Sequence, residues 1–147
     1  MTSIKRSALV MHSAQAMYDL VNDVSCYPSF MDGCQGVEIF EQSSSTMLAR
    51  LDLKKAGVGL SLMTRNHLKA PSQINMTLED GPFKHFRGDW TFTRLSDAAC
   101  KVELDMEFDF SSKKLSFAVS SLFSGVANNL VDSLCQRADH VYGKSSG

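Results

Sequence analysis

The side chains able to do chemistry are few and scattered. Four histidines, His12, His67, His85 and His140, stand far apart, and none has a carboxylate or nucleophile at a catalytic spacing. The cysteines, Cys26, Cys34, Cys100 and Cys135, form no CxxC pair, and no histidine lies at ligand spacing from them, so a structural zinc site is not expected. The chain has no GxSxG, HExxH, Walker or GxGxxG motif. One acidic run, Glu103, Asp105, Glu107 and Asp109, alternates with period two. Residues two apart on a strand are separated by about 7 Å, too far to share one small ion without a bend. These carboxylates therefore read as a solvated face, paired with Arg or Lys of a neighbouring strand. The expectation is a protein that binds rather than catalyses, with no metal and no resident cofactor.

The basic candidates are short pairs: Lys5 with Arg6, Lys54 with Lys55, Lys84 with Arg87, and Lys113 with Lys114. Net charge is −1 and the pI about 6.4, so no global field draws the chain to nucleic acid or an acidic membrane. A contact with phosphates needs a local patch, and Lys54, Lys55 and Lys84 sit beside turns that can meet at one end of a sheet.

The densest stretch is "LEDGPFKHFRGDW", residues 78–90, which holds the single tryptophan. Asp80-Gly81-Pro82 is turn chemistry. Beyond it Phe86, Gly88, Trp90 and Phe92 share one face of a strand, and Gly88 leaves room between two large rings. Such a face fills a core or lines an apolar cavity.

The elements that must position these residues follow from periodicity. Residues 4–11 read as a strand, with Ile4, Ala8 and Val10 on one face. Ser13 offers an N-cap to a helix carrying Met17, Leu20, Val21 and Val24. Ser25 is placed to cap a second short helix, with Pro28 in its first turn and Gly33 closing it. From Val37 to Phe110 the period is two, giving six strands, and Val102, Leu104, Met106, Phe108 and Phe110 alternate with acids in the last. Residues 113–142 repeat apolar positions every three or four, from Leu115 through Val119, Leu122, Phe123, Val126, Leu130 and Leu134 to Val141. That stripe is wide enough to lie across a curved sheet. The fold class is α+β in two layers: strand, two short helices, antiparallel strands, long helix. Residues 1–143 form one domain, and 144–147 a disordered tail. The start has no signal-peptide pattern, and no run of about 20 apolar residues spans a bilayer. Free thiols fit a reduced, cytoplasmic protein.

Three segments carry a resemblance: "ALV…SAQAMYDLVNDVSCYPSFMDGC" (8–34), the "DGPFK…F.G.W.F" pattern (80–92) and the final helix. Together they resemble the START-like superfamily, whose nearest groups are the coenzyme Q-binding proteins and the ribosome association toxins (RatA). The likeness spans residues 3 to about 142. It implies a helix-grip, Bet v 1-like fold, in which a curved antiparallel sheet wraps the long C-terminal helix and encloses a cavity. It implies, for one group, a ubiquinone or other polyprenyl lipid as ligand, carried in support of respiration with transient contact at the inner membrane. For the other it implies binding to the large (50S) ribosomal subunit, blocking subunit association and translation initiation, with an antitoxin as further partner. Segment lengths and Cys26-Tyr27-Pro28 lie nearer the toxin group. The expected cavity lining is Leu60, Leu62, Met76, Leu78, Trp90, Phe92, Met106 and Phe108 from the sheet. Leu122, Phe123, Val126 and Leu130 are added from the helix. Eight methionines suit an irregular apolar surface. The expected ribosome contact is Lys54, Lys55, Lys84 and Arg87.

Overall fold

The computed structural model describes residues 2–110 and 117–143. In chain order these form β1 (Thr2–Val10), α1 (Ala14–Asn22), a 3-10 turn (Val24–Cys26) leading into α2 (Tyr27–Phe30), β2 (Cys34–Gln42), β3 (Thr46–Lys55), β4 (Val58–Lys69), β5 (Gln73–Asp80), β6 (Phe83–Ser96), β7 (Ala99–Phe110) and α3 (Phe117–Tyr142). The strands make one antiparallel sheet in the order β1-β7-β6-β5-β4-β3-β2. The first strand thus pairs with the last, and β1 and β2 are the two edges.

The element order and the α+β class are those that periodicity demands. On β7 Val102, Leu104, Met106 and Phe108 are buried, and the acids between them face outward. There Arg87 reaches Asp89, Asp105 (3.7 Å) and Glu107 (3.2 Å), while Lys101 meets Glu103 at 3.1 Å. On α3 Leu122, Phe123, Ala127, Val131, Leu134 and Ala138 are buried against the sheet. Half-buried Val126 and Leu130 flank them, and Val141 is exposed.

One local detail departs from expectation. Ser13 caps α1 by accepting from Ala16 N at 3.0 Å, but Ser25 caps nothing: it lies inside the 3-10 turn, whose N-cap is Asp23. The end of α1 runs on so closely that the chain tightens rather than restarts. The β3–β4 connection is a two-residue turn in which Ala56 (φ 53°) and Gly57 (φ 79°) both take the left-handed region. This is the geometry of the commonest hairpin turns, with alanine where asparagine or glycine is usual. Finally, Lys113, Lys114, Leu115 and the tail 144–147 lie outside the described residues.

Candidate functional site

The register of the sheet builds the floor of a pocket. Asn66 on β4 lies opposite Met76 on β5, Met76 opposite Gly88 on β6, and Gly88 opposite Met106 on β7. These four residues form one row across the concave face. Gly88 matters through what it lacks: a Cβ built there would stand 2.5 Å from the Met76 Cε. The room between Phe86 and Trp90 is therefore filled by the Met76 methyl group, which lies over the glycine.

Above this row lies a cavity of about 70 Å³. Phe123, Val126, Ala127 and Leu130 of α3 roof it. Val21, Val24, Tyr27 and Met31 close it from the helical segment before β2, and Ala49, Leu51 and Leu53 of β3 complete the sheet side. Among the residues expected in the lining, Leu62, Met76, Trp90, Met106, Phe123, Val126 and Leu130 are there. Phe92 and Phe108 are buried beside it as core: Phe92 stacks on Trp90 at 6.2 Å and meets the edge of Tyr18, and Phe108 packs edge-on against Phe123 at 4.7 Å. Leu60 and Leu78 are half-buried against the core. Leu122 faces an adjoining hollow of about 140 Å³, which shares Met31 and Val126 with the cavity and is bordered by Asp32, Lys55 and Asn129.

The lining is apolar except at a few points. Thr64 and Asn66, adjacent inward positions of β4, are each 6% exposed, and the Thr64 hydroxyl donates to Asn66 Oδ1 at 2.9 Å. The Tyr27 hydroxyl donates to the Val21 carbonyl, and burial pushes its pKa upward. Thr64 and Asn66 escaped the reading of sequence, yet the signal was present: Leu60, Leu62, Thr64, Asn66 and Leu68 share one parity, with two polar residues in the middle of an apolar face. The contribution of Val21, Tyr27 and Met31 carried no such signal, because it arises from the packing of the helical segment over the sheet.

The basic candidates divide. Antiparallel register brings the β3–β4 and β5–β6 turns to the same end of the sheet, so Lys54, Lys55 and Lys84 lie at that end. Lys54 and Lys84 are exposed, with no ion-pair partner among the described residues, whereas Lys55 pairs with Asp32 at 2.5 Å. Arg87 points to the acidic face and is held there by three carboxylates.

Histidine and thiol chemistry is limited. His12 is buried and meets Asp139 of α3 at 2.8 Å, a pair 127 residues apart in sequence that ties the end of β1 to the C-terminal helix. His85 reaches Glu107 only at 4.0 Å. All four cysteines are free. Burial pushes the Cys135 thiol up to about 11, and the Cys26 thiol, which donates to Asp23 at 3.0 Å, is raised by that bond. Among the described residues no group of His, Cys, Asp and Glu is placed to hold a metal ion, and no helix is long and apolar enough to cross a membrane.

Comparison with known proteins adds to this geometry. Residues 10–135 match the family described as polyketide cyclase/dehydrase and lipid transport. The chain is 47% identical over 144 residues, 98% of its length, to the whole of a Vibrio cholerae protein named ribosome association toxin RatA. It is 27% identical to the Drosophila melanogaster mitochondrial coenzyme Q-binding protein COQ10, over 93% of this chain and 55% of that one. Among solved structures, the Zhui aromatase/cyclase of Streptomyces sp. R1128 aligns with a TM-score of 0.82 at 18% identity, covering 98% of this chain and 99% of the other. A START superfamily protein of Mycobacterium smegmatis aligns at 0.78 and 19% identity, covering 95% and 98%. At these identities the two structures establish the helix-grip fold alone.

Proposed function

The chain belongs to the polyketide cyclase/dehydrase and lipid transport family, in the group of the ribosome association toxin RatA, and from that premise we propose that it binds the ribosome through its outer surface. The observation carrying this reading is the full-length similarity at 47% identity to a protein of that name, against 27% to a coenzyme Q-binding protein. Size weighs the same way. Pockets for drug-sized ligands hold roughly 300–1,000 Å³. The interior cavity, at about 70 Å³, is several times smaller, and a polyprenyl chain finds no room in it as the side chains stand.

The partner in this reading is the large ribosomal subunit, and the effect is to block its joining with the small one. The role is binding without catalysis, in the bacterial cytoplasm where the partner resides. The proposed contact is the sheet end bearing Lys54 and Lys84, whose ammonium groups are free to meet phosphates. Lys55 can join them by leaving Asp32, and Arg87 is left out because carboxylates already neutralise it. Contacts of this kind release counterions and weaken as salt rises. The test is sedimentation of the protein with purified large subunits over a salt series. Binding that falls with salt, and drops about tenfold or more in Lys54→Glu/Lys84→Glu, is the expected result. Wild-type protein left unbound at low salt overturns the function. Binding unchanged by the double reversal overturns the patch.

A second reading is favoured by the apolar lining of the cavity: the interior takes a hydrophobic small molecule, a quinone or other lipid among them, as a carrier or chaperone would. Met31, Met76 and Met106 line it, and unbranched thioether side chains can move aside to widen it. Organic extraction of purified protein followed by mass spectrometry tests this. A near-stoichiometric apolar compound supports it, and an empty extract counts against it. The two readings are compatible, since one uses the surface and the other the interior.

A further inference from the structure

Resting on that second reading, we infer that Asn66, supported by Thr64, is the specificity determinant of the interior pocket and selects an uncharged apolar molecule carrying a carbonyl oxygen. No Asp, Glu, Lys, Arg or His lines the cavity, so a charged ligand would meet nothing to offset its desolvation. The polar side chains that do line it are Thr64, Asn66 and Tyr27, with the Trp90 indole. The Thr64 hydroxyl donates to Asn66 Oδ1, which leaves the amide N–H groups of Asn66 without an acceptor among the described residues. The hydroxyl of Tyr27 is engaged by the Val21 carbonyl.

A donor on a side chain 94% buried costs stability unless something accepts from it, and a carbonyl oxygen does so without bringing charge. Asn66 also lies on the floor, opposite Met76, so the ligand oxygen would sit at the sheet with its apolar body under α3. Leucine or valine at these two positions would complete the apolar face. The polar pair has no structural partner beyond itself, which is why it points to a ligand.

The test compares two probes of nearly equal shape, acetophenone and ethylbenzene. Binding is followed by Trp90 fluorescence and by the Asn66 side-chain amide signal in ¹⁵N–¹H NMR spectra. The wild-type protein is expected to bind acetophenone about tenfold more tightly than ethylbenzene, with a shift of the Asn66 amide signal for the ketone only. Asn66→Leu is expected to erase that ratio while still binding ethylbenzene, and Thr64→Val to reduce it. Should Asn66→Leu fail to fold, the wild-type amide shift and Thr64→Val carry the test. Equal binding of both probes by wild-type protein, with no amide shift, overturns the inference and leaves the pocket standing. Binding of neither probe by folded protein overturns the pocket reading, and the inference falls with it.

Discussion

Replacing Phe123 with alanine should remove about 4 kcal/mol of folding stability. The ring is 4% exposed and lies among Phe108, Phe83, Phe110 and Phe86, with centroids at 4.7, 4.9, 6.1 and 6.3 Å. Returning a buried phenylalanine side chain to water costs about 1.5–3 kcal/mol. The edge-to-face contacts with Phe108 and Phe83 add about 0.5–1.5 kcal/mol each. The neighbours cannot close the gap cheaply, because Phe123 roofs a cavity that is already partly empty and the void would merge with it. The sum, about 2.5–6 kcal/mol, centres near 4 and brackets the range of about 3–5 kcal/mol usual for Phe→Ala in a core. Domains of this size are stable by about 5–15 kcal/mol, so the variant should fold but melt early. Urea unfolding followed by Trp90 fluorescence measures the loss. Phe117→Ala, at the 85% exposed start of α3, is the control and should change stability by less than about 0.5 kcal/mol. A loss below about 1.5 kcal/mol for Phe123→Ala, or an equal loss for Phe117→Ala, would refute the argument from burial.

Three further perturbations test other parts of the account. Ala56→Asn should stabilise the protein by about 0.5–1 kcal/mol, because asparagine tolerates the left-handed conformation that Ala56 adopts; a lower urea midpoint would contradict the turn assignment. Gly88→Ala should displace the Met76 methyl into the cavity, costing under about 1.5 kcal/mol because the end of that side chain is mobile. It should also weaken any pocket ligand, and a loss of about 3 kcal/mol or more would mean that the strand, not Met76, had to yield. Asp23→Asn removes the carboxylate that holds the Cys26 thiol in its protonated form, so alkylation of Cys26 at mildly alkaline pH should accelerate. Cys135, held at about 11 by burial, should stay slow in both proteins, and an unchanged Cys26 rate would contradict the assignment.

What the sequence makes legible is what local periodicity controls. The alternation of β7, the broad stripe of α3 and the Ser13 cap are each written in a few consecutive residues. So is the placing of Phe86, Gly88 and Trp90 on one face, though not that Met76, twelve residues before Gly88, fills the gap. The capping role of Ser25 failed because α1, the 3-10 turn and α2 run together. Arg87 looked like a surface cation available to a partner, but its position opposite Glu107 and beside Asp105 follows from β6–β7 register, which no short stretch encodes. The Thr64–Asn66 pair was open to reading, since two polar residues in the inward parity of β4 break an apolar face. The share of Val21, Tyr27 and Met31 in the lining depends on how the first helical segment lands on the sheet, and only the folded chain supplies that.

The central claim is that the surface of this domain acts on the ribosome. It is tested most directly by adding purified protein to separated large and small subunits under conditions where they join, then resolving the products on a density gradient. The account predicts that the joined particle declines as protein is added and that the protein migrates with the large subunit. Full joining, with the protein left at the top of the gradient, would contradict it.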